Sequence, residues 1–142
     1  SMLLNALCQE DVKAQGTSNS GGDVSEHTEQ VALFNWCKLM EGRHPQMALI
    51  FSIPNGGHRH IAVARRLKKE GVKSGIPDIF LSVPKNDKHG MFIEMKHGKN
   101  KPSESQLEWL GALSGEGYET AICYGFDDAR DAIIKYLGIE TA

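Results

Sequence analysis

A chain of 142 residues with 40% hydrophobic and 24% charged content has the makings of one globular domain with its own core, and is too short for two ordinary ones. No apolar run reaches the roughly 18 residues a membrane helix needs, and no basic-then-apolar start marks a secretion signal, so neither a membrane partner nor export is expected. The net charge of −2 by itself argues against a polyanion, yet residues 58–101 hold 11 Lys+Arg against 4 Asp+Glu, a local +7 inside a chain whose remainder carries −9. That asymmetry suggests one cationic face, and a cationic face suits nucleic acid.

In chain order, Ser1-Met2 reads as a remnant of tag removal. Residues 3–13 fit a short helix with Leu3, Leu4 and Leu7 on one side, and residues 15–25 are a Gly/Ser linker. Residues 1–24 therefore form an arm, and residues 25–142 the folded domain. Residues 26–40 predict an amphipathic helix with Val31, Phe34 and Leu39 among its apolar positions and Asp23 or Ser25 as its cap. A short strand is expected over 48–53, stopped by Pro54-Asn55-Gly56-Gly57, and a basic helix over 61–70, with Gly71 as its C-terminal stop. A strand over 78–83, a polar loop over 84–90 and a return strand over 91–96 predict an antiparallel hairpin. A basic loop over 98–102 leads to a helix over 103–116 capped by Ser103. A strand over 120–124 and a helix over 127–137 complete the chain. The fold class expected is α/β, a mixed central sheet of about four strands flanked by helices. Cys8, Cys37 and Cys123 are odd in number and match neither a zinc spacing nor a disulfide framework. They read as buried apolar fillers in a reducing, cytoplasmic setting.

The chemistry concentrates in the hairpin. On a strand, Glu94 and Lys96 point to one face while Ile93 and Met95 point to the other. The loop centre falls near Asn86–Asp87, so Asp78 lies about as far before it as Glu94–Lys96 lies after, and the strands bring the three together. Pro77 restrains the backbone leading into Asp78. Two neighbouring carboxylates repel unless a cation sits between them, and Mg²⁺ or Mn²⁺ would satisfy both while keeping positions for water and substrate oxygens. Lys96 beside such an ion could orient or deprotonate the attacking water. This is equipment for phosphodiester hydrolysis, although an isolated Glu-x-Lys is far more often an ordinary exposed ion pair on an edge strand. On the next helix Gln106 could hold the water or Lys96, and on the first helix Glu26 could reach the metal, with Glu29 as its competitor. The glycine turn Asn55-Gly56-Gly57 with Arg59 offers amides and a guanidinium to a phosphate, but lacks the Lys-Ser/Thr of a nucleotide loop. His58 and His60 have no further ligand at zinc spacing. Arg65 and Lys68 mark a solvated or DNA-facing helix side, and Lys99 and Lys101 lie in the basic loop beyond the hairpin.

Taken in order, Ile53-Pro-Asn-Gly-Gly-x-Arg59, Leu67-Lys68-x-x-Gly71-x-x-x-Gly75-x-Pro-Asp78, Phe92-Ile-Glu94-x-Lys96, Ser103-x-x-Gln106 and Gly117-Tyr118 resemble the VRR-NUC (virus-type replication-repair nuclease) domain in its short stand-alone phage or bacterial form. That family belongs to the PD-(D/E)xK superfamily with a restriction-endonuclease-like core, and also supplies the nuclease module of the Fanconi-associated nuclease. The resemblance implies Mg²⁺- or Mn²⁺-dependent cleavage of structured DNA, and for stand-alone members a homodimer that resolves four-way (Holliday) junctions. Carried over by position, Asp78, Glu94 and the backbone carbonyl of Met95 are similar to the metal ligands, Lys96 to the catalytic lysine, Gln106 to the motif glutamine and Glu26 to the first-helix acid. The candidate DNA contacts, from the glycine turn, the basic helix and the basic loop, are Asn55, Gly56, Gly57, Arg59, Arg65, Lys68, Lys99 and Lys101. Two other readings remain: a restriction-type endonuclease, for which 142 residues leave no target-recognition domain, and a non-catalytic DNA-binding module, which would bind without turnover.

Overall fold

The computed structural model describes residues 25–54 and 60–140. The helix expected at residues 3–13, the linker, Cys8 and the turn at 55–59 lie outside the described residues. Helix α1 (Glu26–Met40) begins where the side chain of Ser25 accepts the Thr28 N–H, which settles the cap on Ser25. Its buried line is Leu33 and Cys37, flanked by Phe34, Trp36 and Met40. Val31 and Leu39 turn outward, at 41% and 81% exposure. The reason is angular: each lies two residues, about 200° of helix turn, from a member of the buried pair.

The strand expected at 48–53 is shorter. Pro45 starts a 3₁₀ turn (Pro45–Leu49) that takes up Ala48 and Leu49 and buries Met47, leaving β1 as Ile50–Ser52. Helix α2 (Ile61–Lys69) opens on His60, whose Nδ1 accepts the Ala62 N–H, so this histidine caps a helix end. Gly71 follows at φ +100°. Strand β2 is only Ile79–Leu81: the next rung, Ser82 N–H to the Leu49 carbonyl, meets a partner already in the 3₁₀ turn, and the Ser82 hydroxyl donates to the same carbonyl. Strand β3 (Met91–Lys96) returns through a turn in which Asn86 and Asp87 both have positive φ, 52° and 62°, the twist a tight hairpin favours. Helix α3 (Glu104–Gly115), strand β4 (Glu119–Tyr124) and helix α4 (Gly125–Leu137) follow.

The four strands lie in the order β1-β2-β3-β4. The first two pairings are antiparallel, with Ile50 opposite Leu81 and Ile79 opposite Ile93. The last is parallel, with Met91 opposite Glu119. A mixed α/β sheet flanked by helices is the architecture expected. On one face Ile79, Leu81, Met91, Ile93, Met95 and Cys123 join α1 and α4 in the core, whose helical side includes Leu33, Ala129, Ile133 and Tyr136. Cys37 and Cys123 are both buried free thiols, and burial raises each to about 12. Period-two alternation puts Phe51, Phe80, Phe92, Glu94 and Lys96 on the other face, where α3 touches β4 and Gln106 reaches Glu94. None of the nine residues of α2 is buried. Among the described residues no helix is long and apolar enough to cross a membrane.

Candidate active site

The hairpin register does the first work. Ile79 opposite Ile93 sets Asp78 against Glu94, one step beyond the end of β2. Asp78 is pinned twice. Its carbonyl accepts the Ile53 N–H at 2.7 Å, and its Oδ2 accepts the Met95 N–H at 2.8 Å. Pro77, fully buried just before it, fixes the approach of the chain.

Glu94 is 1% exposed. Its two oxygens differ sharply. Oε1 accepts from Gln106 Nε2 at 2.8 Å and lies 3.6 Å from Lys96 Nζ. Oε2 is buried and meets no donor. An ionised carboxylate oxygen left this way is costly unless something cationic satisfies it. Burial first, then the Asp78 carboxylate, push Glu94 up to about 8 against the pull of Lys96, and the acid form of Glu94 hydrogen-bonds to Asp78. Burial also raises Asp78, with the Met95 N–H opposing and the Glu26 charge adding to the rise. Two hard oxygen donors, both destabilised as anions and one with a free lone pair, suit a divalent cation. Among the described residues no three His, Cys, Asp or Glu side chains converge as a metal site by themselves. Mg²⁺ needs only one or two protein carboxylates, with a carbonyl, water and substrate oxygens in its other positions.

Gln106 does not hold Lys96; its amide goes to Glu94. It also closes a capping box, with Oε1 accepting the Ser103 N–H at 2.8 Å while Ser103 Oγ accepts the Gln106 N–H at 3.2 Å. One side chain thus ties the first turn of α3 to the buried acid. The two acids of α1 separate cleanly. Glu29 Oε2 accepts the Phe126 N–H at the start of α4 and is spent on that helix end. Glu26, half-buried in the first turn, is the one whose charge Asp78 feels.

The basic candidates stand apart from this cluster. Arg65 and Lys68 are exposed on α2, and Lys99 and Lys101 are exposed in the loop after β3. Asn55, Gly56, Gly57 and Arg59 lie outside the described residues. The sequence reading missed how the segment before Asp78 is held. The Ser74 carbonyl accepts from Trp109 Nε1 at 3.1 Å and Ser105 Oγ at 3.5 Å, and Lys73 lies over the Trp109 ring. Gly75, at φ +84°, leaves no room for a Cβ, which would sit 2.2 Å from Ser105 Oγ. The signal was present in Gly75-x-Pro77, but the partner helix was not readable from it.

The VRR-NUC domain family matches residues 24–127. A solved structure described as a VRR_NUC domain protein superposes with a TM-score of 0.71 at 27% identity, over 82% of this chain and 91% of that one. Comparison with curated proteins gives no match. The matched span contains α1, the hairpin acids, Lys96 and the Gln106 cap, and the chain therefore belongs to the VRR-NUC domain family of nucleases.

Proposed function

We propose that this chain is a Mg²⁺- or Mn²⁺-dependent, structure-selective DNA endonuclease that nicks branched DNA such as four-way junctions, acts inside the cell and works as a homodimer. Residues 25–142 would be the nuclease domain and residues 1–24 an arm. The observation that carries the reading is the buried Glu94 carboxylate, with one oxygen clamped by Gln106 and Lys96 and the other without a donor beside Asp78. Asp78, Glu94 and the Met95 carbonyl would hold the ion. A divalent cation held there would neutralise developing charge on the phosphate and make nearby water a better nucleophile. Gln106 keeps Glu94 oriented. Lys96, with its side chain 11% exposed and its ammonium against Glu94, orients the attacking water and exchanges a proton with it. Glu26 adds negative charge at the same edge.

The basic residues Arg59, Arg65, Lys68, Lys99 and Lys101, with the amides of Asn55, Gly56 and Gly57, would contact the phosphodiester backbone. A two-fold dimer would match the two symmetric scissile positions of a four-way junction. The test is nicking of junction, flap, splayed-arm and linear duplexes with Mg²⁺ and Mn²⁺. Asp78→Ala, Glu94→Ala and Lys96→Ala should each abolish nicking while the fold survives. Full activity in any of them sinks the assignment. Cleavage confined to one linear sequence would favour a restriction-type enzyme. Binding without turnover would favour a DNA-binding module.

A further inference from the structure

We propose that the aromatic row on the outer face of the sheet, with Phe51 at its open end, is a stacking platform for an unpaired nucleobase of the DNA beside the acid–lysine cluster. This rests on the reading of the chain as a nuclease of branched DNA. The strand register places Phe51 opposite Phe80 and Phe80 opposite Phe92, so three rings lie side by side across β1, β2 and β3. Phe80 stacks on Phe92 with centroids 4.3 Å apart, and Phe51 meets Phe80 edge-on at 5.6 Å. Tyr118 closes the row from behind, edge-on to Phe92 at 5.2 Å. The backbone is cut to fit: a Cβ on Gly90 would lie 2.7 Å from the Phe80 ring. Phe51 is nevertheless 48% exposed.

The row runs into the candidate site. Phe80 is two residues from Asp78 and Phe92 two from Glu94, on the same face. With a rise of about 3.3 Å per residue and about 4.8 Å between strands, the Phe51 backbone lies roughly 8 Å from Asp78 and roughly 12 Å from Glu94. A stacked strand advances about 3.4 Å per nucleotide, so a base within a few steps of a phosphate at the acids reaches Phe51. Rings already packed against one another present a surface without loss of side-chain freedom, and stacking accepts any base. The segment that supplies Phe80 and Phe92 is the +7 segment, which suits a polyanion. A second copy of the chain is a poorer occupant. The exposed parts of Phe51, Ile122 and Tyr124 on this face together come to on the order of 250 Å², well below the roughly 800 Å² per partner that a stable interface buries.

The experiment uses the full chain in EDTA, so that no strand is cut, with 2-aminopurine at the unpaired branch position of a splayed-arm DNA and, as control, inside a linear duplex. The wild type should quench the branch probe. Phe51→Ala should remove the quench and weaken branch binding about ten-fold, leaving duplex binding unchanged and lowering the melting temperature by only a few degrees, since the ring is half-exposed, while Phe51→Trp should keep both quench and affinity. Retained quench and affinity in Phe51→Ala overturn the platform. So does a loss in Phe51→Ala that coincides with a fall in sedimentation from dimer to monomer, since the face would then be an interface between copies. Phe51→Trp binding no better than Phe51→Ala would also overturn it. The two readings fail separately. Quench without nicking in Mg²⁺ or Mn²⁺ sinks the nuclease and leaves the platform, whereas nicking without quench sinks the platform alone.

Discussion

Ionised Glu94 is costly to the folded chain, because one of its buried oxygens has no donor. Its acid form is favoured in the folded state, with a pKa raised from 4.5 to about 8 by burial and by Asp78. The folded chain therefore holds more protons than the unfolded one between those values, and stability falls as pH rises across that window. The contribution is full below about pH 4.5 and lost above about 8. In EDTA the melting temperature of the wild type should decline from pH 5 to 8, and Glu94→Gln should flatten that decline and melt several degrees higher at pH 8. Added Mg²⁺ or Mn²⁺ should raise the wild-type melting temperature and leave Glu94→Gln unmoved. A wild type indifferent to both pH and cation would remove the argument for an ion at Oε2. Gln106 and Ser103 share a capping box but should differ in consequence. Ser103→Ala loses one cap bond and costs about 1 kcal/mol in chemical denaturation with little effect on nicking. Gln106→Ala frees the Glu94 oxygen and should lower nicking about 10- to 100-fold, as removal of a residue that orients a metal ligand does.

At the scale of elements, the hairpin and α3 decide where the acids stand. Asp78 is placed by the loop before it, and that loop is fastened to α3 through Ser74, Trp109 and Ser105. Gly75→Ala would strain a residue at φ +84° and drive a Cβ into Ser105. It should cost about 1–3 kcal/mol and lower nicking as well, because the carboxylate moves with the loop. Normal stability and normal nicking in that variant would show that the loop does not position Asp78. On the other face α4 closes the core. Ile133→Ala should cost about 2–5 kcal/mol, since the residue is 0% exposed. Most elements were legible because each carries a local signal: Ser25 and Ser103 as caps, Gly71 as a stop, period-two alternation across Met91–Lys96. The misses were also physical. The stretch before β1 reads as a strand from its apolar run, but Pro45 favours a 3₁₀ turn, and propensity cannot tell which half of the run the sheet will accept. Val31 and Leu39 have helical spacing, yet only packing chooses which stripe faces inward.

For the whole molecule, the charge pattern argues for a DNA-facing side rather than a uniformly basic protein. Arg65, Lys68, Lys99 and Lys101 are exposed on two segments outside the acid cluster. Lys99→Ala and Lys101→Ala should each reduce the slope of log affinity against log salt by about 0.9 if each neutralises one phosphate. An unchanged slope would assign them to solvent. Light scattering at working concentration checks the proposed dimer, and a monomer that still nicks four-way junctions would count against it.

The sequence alone determined an α/β fold, where most helices and strands fall, and that Asp78, Glu94 and Lys96 meet, because hairpin pairing is local arithmetic about a turn. It also determined the family, through motifs that occur in order. Only the tertiary structure decided that Glu94 keeps one oxygen bound and one without a donor, that Gln106 serves Glu94, that Glu29 serves the start of α4 while the Glu26 charge reaches Asp78, and that three Phe rings align beside the site. Those facts depend on which side chains from distant segments arrive at the same point. Long-range packing sets that, and no periodicity within a single segment encodes it.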